Sequence, residues 1–423
     1  MEWRVRTDSK RRRRSLTAIS AVLGGVLVLS ACSDGGGGSP KGNGEASKSQ
    51  ADVDAAAAKD TSKAKIAITP KDGAGNVGLN DSANVAVSDG TLTQVELKSS
   101  EGTVVAGKIA ADGKSWKPDT ALKRSTKYAV SATAKDADGR EAHENASFTT
   151  VSPENSFVGS FIPDQGQTVG VGMPVSITFN KPIKDQKAVQ AAINVSSSSG
   201  QEVVGHWFGS QRLDFRPEQY WQANSTVTLK LELEGVQGAP GVQGVQSKTV
   251  TFKVGRSQVS TVDAKTKKMT VTRDGAVLKT IPISAGSPEN PTYNGQMVIS
   301  EKFKETRMNG ATVGFTDDDG KGEYDIKDVP HAMRLSNSGT FIHGNYWGSD
   351  SIFGSVNTSH GCVGLNDAKG AGDPNQPGAW FFDNSLIGDV VTVVNSPDKT
   401  IKPDNGLNGW NMSWAEWKAG AAS

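Results

Sequence analysis

Along most of the chain, apolar and polar positions alternate with a period of two. Tyr128, Val130 and Ala132 alternate with small or polar neighbours, and Val227, Leu229 and Leu231 do the same. That period sends successive side chains to opposite faces, so these segments predict half-buried β-strands. The pattern also repeats. "ITPKDGAGNVGLNDSANVAVS" (68–88) aligns with "FIPDQGQTVGVGMPVSITFN" (161–180), and 115–139 aligns with 214–235. In both copies an aromatic residue, Trp116 or Phe215, stands two positions before a proline, Pro118 or Pro217. Ten residues past the aromatic, a Ser/Thr pair opens the alternating strand, and a last short strand, "ASFTTV" or "TVTFKVG", closes the copy.

Two units of this size, with strand signals at sandwich spacing, predict two immunoglobulin-like β-sandwiches over 63–151 and 152–255. Neither unit contains a cysteine, and His143 and His206 are isolated histidines expected to pack or to sit at the surface. From about Ser257 the strands change character. "QVSTVDAKTKKMTVTRDGAVLKTIPISAG" predicts two strands around an Asp274-Gly275 hairpin and then a third. "YNGQMVIS", "GTFIHG" and the β-branched "LIGDVVTVVNS" (386–396) supply more, which makes a β-rich third domain over 256–396. Residues 397–423 hold Trp410, Trp414 and Trp417. Three tryptophans this close would be a liability in water, so the tail is expected to fold back on the third domain and bury them.

The amino terminus follows other rules. Residues 1–31 have a basic head, an apolar run from Leu16 to Leu29 and a small-residue end, the pattern of a secretory leader. "LSAC" at 29–32 resembles a lipobox, which implies a diacylglyceryl group on Cys32. Residues 32–62, nearly free of large apolar side chains, predict a flexible linker with an end-to-end distance of roughly 30 Å. The full chain carries a net charge of +1. The leader holds seven basic and two acidic side chains, so the remainder carries −4. Nothing in that balance calls for nucleic acid, and a monomer is expected.

Charge and export then change the meaning of the cysteines. There are two, Cys32 and Cys362. With Cys32 lipidated, Cys362 is an unpaired thiol in a compartment that favours disulfides, and catalysis is the usual reason for one. Nearby stand His360, two positions away, and His343 at the end of a predicted strand. An imidazole takes the thiol proton and activates the sulfur, and the Gly361–Cys362 backbone offers N–H groups for an oxyanion.

"HGNYW…TSHGCVGLN" resembles the signature of the L,D-transpeptidases, cysteine enzymes that cross-link peptidoglycan through a YkuD-type catalytic domain. His343 is followed by fifteen residues and then by Ser359, His360, Gly361, Cys362, Val363 and Gly364. The order of lipobox, linker, two sandwiches, catalytic domain and Trp-rich tail resembles the actinobacterial lipoprotein branch. The resemblance implies Cys362 as nucleophile and His343 as general base, oriented by the backbone of Gly344. It implies that His360 shapes the site, that Gly361 lends its backbone to the oxyanion hole, and that Ser359 and Asn366 organise the loop, Asn366 also facing substrate. A lid is implied over 301–328, with Tyr324 and Met308 against substrate, and Trp347 lining the pocket. No cofactor or metal is implied. The partners are a donor tetrapeptide stem and an acceptor amine, and carbapenems are expected to acylate Cys362.

Other chemistries fit less well. Zinc needs a fourth ligand beyond His343, His360 and Cys362, with His331 the only candidate. A sortase needs an arginine after the cysteine, and none follows Arg334. "DDDGKGEYD" (317–325) has a calcium-loop glycine at Gly322 but a lysine, Lys321, at a ligand position and no terminal glutamate. The expectation is therefore a membrane-anchored enzyme facing the cell wall, acting in its biogenesis and shape and forming 3→3 cross-links. The same acyl-enzyme would serve carboxypeptidase or protein-attachment chemistry, and a non-catalytic wall-binding lipoprotein is the alternative of another class.

Overall fold

The computed structural model describes residues 61–422 apart from Asp81 and Asp317. The expected leader, Cys32 and nearly all of the linker lie outside the described residues.

The chain is mainly β, as its period-two pattern requires, with two immunoglobulin-like sandwiches ahead of a nine-stranded sheet. The first sandwich packs a four-stranded sheet containing Asn84–Ser88 and Ser115–Pro118 against a five-stranded one containing Thr91–Ser99, Lys127–Lys135 and Glu141–Thr150. Their shared core holds Val85, Leu97, Trp116, Tyr128, Val130 and Phe148. The second joins Gly159–Ile162, Val175–Phe179, Arg212–Pro217 and Val203–Phe208 to a sheet built on Thr226–Glu232 and Ser247–Val254. Both repeat aromatics, Trp116 and Phe215, are buried.

The third region forms a single sheet. Its strands are β1 (Gln258–Asp263), β2 (Lys268–Arg273), β3 (Ala276–Ser284), β4 (Gly295–Val298), β5 (Glu301–Asn309), β6 (Asp325–Arg334), β7 (Phe341–Asn345), β8 (Val363–Asn366) and β9 (Val390–Val394). Their order is β4-β9-β1-β2-β3-β8-β7-β6-β5. Most neighbours are antiparallel, but β1 and β9 run parallel, as do β7 and β8. A short helix, α1 (Pro377–Asp383), lies against β6, β7 and β8 and buries Phe381 in the main core.

The tail does pack on the nine-stranded sheet, through asparagines: Asn408 Oδ1 accepts from the Val298 amide at 3.0 Å and Asn411 Oδ1 from that of Gln296 at 2.8 Å. Its tryptophans reach further, into the second sandwich. Trp410 donates to the Gly172 carbonyl (2.7 Å) and Trp417 to that of Val204 (2.9 Å). Fully buried Trp417 stacks on His206, 4.8 Å between ring centroids, while Arg216 lies 4.3 Å from its centroid. Trp414 is only partly buried. The tail thus ties sandwich and sheet together, because the sandwich offers the aromatic and cationic surface that indole rings need. His206 is a packing residue, and His143 is exposed near Glu141.

Candidate active site

The parallel pairing of β7 and β8 decides which side chains meet. Ile342 pairs with Val363, His343 with Gly364 and Gly344 with Leu365. Paired residues share a face, so His343 and Gly364 face one side together with Ser284, the β3 partner of Gly364. Cys362, two positions before Gly364, belongs to the same side. Glycine at 364 puts no side chain among these groups. The result is a cavity of about 180 Å³ whose lining includes Cys362, His343, His360, Ser359, Tyr324 and Trp347.

His343 is buried and its Nδ1 donates to the Gly344 carbonyl at 2.8 Å, which leaves Nε2 without its proton and able to accept one. Burial holds its pKa below the ordinary histidine value, so the ring is neutral. Trp347 lies nearly parallel to the imidazole, with centroids 5.6 Å apart and planes 13° from parallel, and shields one ring face from water.

The thiol of Cys362 sits against an apolar cluster of Val329, Ala332 and Phe341, with Met308 and Ile326 beside it. It points to the Gly339 carbonyl at 3.5 Å. Loss of hydration pushes its pKa up to about 11, with a backbone hydrogen bond from Phe341 acting the other way. At rest the site therefore pairs a neutral thiol with a neutral imidazole.

The loop before the nucleophile is held by its own residues. Ser359 Oγ donates to the Cys362 carbonyl at 2.6 Å and accepts from the Gly361 amide at 3.2 Å. Gly361 has φ +110°, a conformation that suits glycine. Its N–H, expected at the oxyanion, is engaged by Ser359 in this resting arrangement. The amides of Thr358 and Ser359 both bond the Ala285 carbonyl, which fastens the loop just past the end of β3.

Above the cavity, β5 and β6 form a long hairpin over the span expected for the lid. Arg307 and Asp325 pair through two 2.7 Å bonds across the base of its tip. At the tip, Phe315 and Tyr324 reach within 5.4 and 5.0 Å of the His360 ring, and Glu323 pairs with His360 Nε2 at 3.1 Å. The acidic run 317–325 thus commits Glu323 to His360 and Asp325 to the Arg307 guanidinium. Burial pushes the Tyr324 hydroxyl up to about 12, with the neighbouring Cys362 adding to the shift.

Profiles of known families match two parts of the chain: a bacterial immunoglobulin domain over 74–237, and an L,D-transpeptidase catalytic domain over 257–393. L,D-transpeptidase 2 of Mycobacterium tuberculosis is 32% identical over 358 residues, covering 85% of each chain. The chain belongs to the L,D-transpeptidase family. L,D-transpeptidase 5 of the same organism is 29% identical over 360 residues, 84% of this chain and 76% of that one. A solved L,D-transpeptidase in complex with imipenem is 30% identical and covers 57% of this chain and all of that one, with a TM-score of 0.47. Among the described residues, no helix is long and apolar enough to cross a membrane.

Within this L,D-transpeptidase frame the structure brings together most of the expected residues: Cys362, His343, His360, Ser359, Tyr324, Trp347 and Met308 all line the cavity. Asn366 does not. Its side chain bonds Asp350 at 3.2 Å, and its cross-strand partner Asn345 lines the cavity instead. Gly344 lines nothing and contributes its carbonyl. His331, the candidate fourth zinc ligand, points elsewhere and bonds Asp367 at 2.8 Å. Asn345, Ser284, Thr358 and Ile326 went unnoticed in the sequence. For Asn345 the signal was present: two positions past His343 on a strand, it had to share that residue's face.

Proposed function

We propose that this protein is an L,D-transpeptidase forming 3→3 cross-links between peptidoglycan stem peptides through a thioester on Cys362. The observation that carries this reading is a thiol and a neutral imidazole on one face of neighbouring parallel strands, in one cavity, with the imidazole's accepting nitrogen left available.

The chemistry follows from those protonation states. With a pKa near 11, about one thiol in ten thousand is ionised at pH 7, so a preformed thiolate is not the attacking species. Nε2 of His343 takes the thiol proton as the sulfur attacks the carbonyl carbon of the stem's third residue. Amides of the Gly361–Cys362 turn, with Gly361 N–H released from Ser359, stabilise the oxyanion. Collapse breaks the amide bond, and the imidazolium protonates the departing D-alanine amine. The side-chain amine of a second stem then attacks the thioester, gives its proton to His343 and frees the Cys362 thiol. Water in place of the amine yields a tripeptide, the carboxypeptidase outcome. In this reading Cys32 carries lipid outside the cytoplasm, and linker and sandwiches hold the site toward the wall.

The imipenem complex of a relative supports a direct test. Intact-mass measurement after incubation with imipenem is expected to show one covalent adduct per chain, absent in Cys362→Ala. An unmodified wild-type protein would count against the acyl-enzyme.

A further inference from the structure

Behind the base-bearing strand, on the face away from the cavity, lies a second buried histidine. His331 is on β6, Gly344 on β7, and Asp367 directly follows β8. Strand β7 runs between the other two. His331 Nδ1 donates to Asp367 Oδ2 at 2.8 Å, so the bond crosses over β7 and joins its two neighbours. It crosses at Gly344. A Cβ on Gly344 would lie 2.2 Å from Asp367 Oδ2, and one on Gly378 of α1 would meet the same atom at 2.2 Å. Two missing side chains thus admit one carboxylate between strand and helix. Its other oxygen accepts from the Ala368 amide at 2.8 Å.

This arrangement is costly by ordinary standards. His331 and Asp367 are both about 95% buried, at 4% and 5% exposure, and a buried polar pair is tolerated only when it is satisfied. His331 also has φ +48°, a left-handed backbone uncommon outside glycine and asparagine. The residue pressed by the carboxylate is the one whose carbonyl fixes the His343 ring.

We infer that His331 and Asp367 are positioning residues: their hydrogen bond clamps Gly344 from behind and thereby holds His343 at the angle needed to take the Cys362 proton. They touch neither substrate nor thiol. The inference rests on the proposed roles of His343 and Cys362, but its test does not depend on substrate turnover.

The test compares His331→Ala and His331→Asn in the full chain. Asparagine tolerates the left-handed backbone and keeps an N–H donor at the δ position, whereas alanine removes the donor. The primary readout is the rate of Cys362 alkylation by iodoacetamide at pH 7, with His343→Ala as reference. The second is kcat and KM for acyl transfer, and melting temperature monitors folding. Below its melting point, His331→Ala is expected to lose alkylation rate as far as His343→Ala does, and up to about 10²-fold in kcat with KM little changed. His331→Asn is expected to recover most of both. Wild-type alkylation in folded His331→Ala would overturn the clamp, as would His331→Asn behaving like His331→Ala. Should wild-type protein show no acyl transfer, the function proposed above fails, while the alkylation series still decides the clamp.

Discussion

At the scale of single residues, the site is built from groups held neutral by burial. In His343→Ala, where only preformed thiolate can react, the Cys362 thiol with its pKa near 11 is expected to react with iodoacetamide slowly at pH 7 and about tenfold faster per pH unit toward pH 11. A rate that levels off near pH 8 would show a more exposed sulfur. Gly344 offers a second check. Serine there would drive its Cβ into Asp367, so Gly344→Ser is expected to lose about 1–3 kcal/mol in urea denaturation, the usual cost of overpacking. Cys362, His360 and His343 were legible in the sequence because their spacing is itself a signature. His331 and Asp367 were not: they are 36 positions apart, and only the strand order places β6 and β8 on either side of β7. The engagement of Gly361 N–H by Ser359 was equally invisible, since it depends on a loop's φ angles rather than on residue type.

At the scale of elements, the decisive device is the long β5–β6 hairpin. Its Met308 and Tyr324 line the cavity, Met308 packs beside Cys362, and the Phe315 and Tyr324 rings and the Glu323 carboxylate meet His360. The Glu323–His360 contact is 35% and 41% exposed on its two sides, so it adds little to the stability of the fold. Tyr324 carries more of the cover. Tyr324→Ala is expected to speed alkylation of Cys362 while lowering kcat/KM for acylation about tenfold, roughly 1.4 kcal/mol. If both rates fell together, the ring would be a support for the loop rather than a cover. The strands themselves were readable from alternation. Period two, however, says which residues of one strand share a face and nothing about which strands are neighbours. Nor does sharing a face fix where a side chain goes: Asn366 pairs with Asn345 across the sheet, yet it bonds Asp350 while Asn345 lines the cavity.

At the scale of the whole molecule, the second sandwich, the catalytic sheet and the tail share buried contacts. Val298, Leu407 and Trp410 belong to the sandwich core, and Asp389 pairs with Arg256 at 2.8 Å, with the Asp389 side chain almost fully buried. The first sandwich meets the second through Glu234, which accepts from the amides of Leu79 and Asn80 at 3.1 and 2.5 Å. Trp417 is the tail's deepest anchor. Trp417→Ala is expected to cost about 3–5 kcal/mol in urea denaturation and to lower the unfolding midpoints of sandwich and catalytic sheet together. Loss confined to the sandwich would mean that the two unfold separately. The burial of the tryptophans could be anticipated from their number, but not their destination, because Arg216 and His206 gave no sign of facing them.

In the proposed reaction Cys362 takes an acyl group from one stem peptide and hands it to another. The most direct measurement is mass analysis of the products from purified disaccharide-tetrapeptide incubated with the full chain. A dimer with the mass of two disaccharide-tetrapeptides less one released D-alanine, with the new peptide bond mapped between third residues and absent with Cys362→Ala, is the expected result. No dimer, no tripeptide and no released D-alanine from a folded wild-type protein would contradict it.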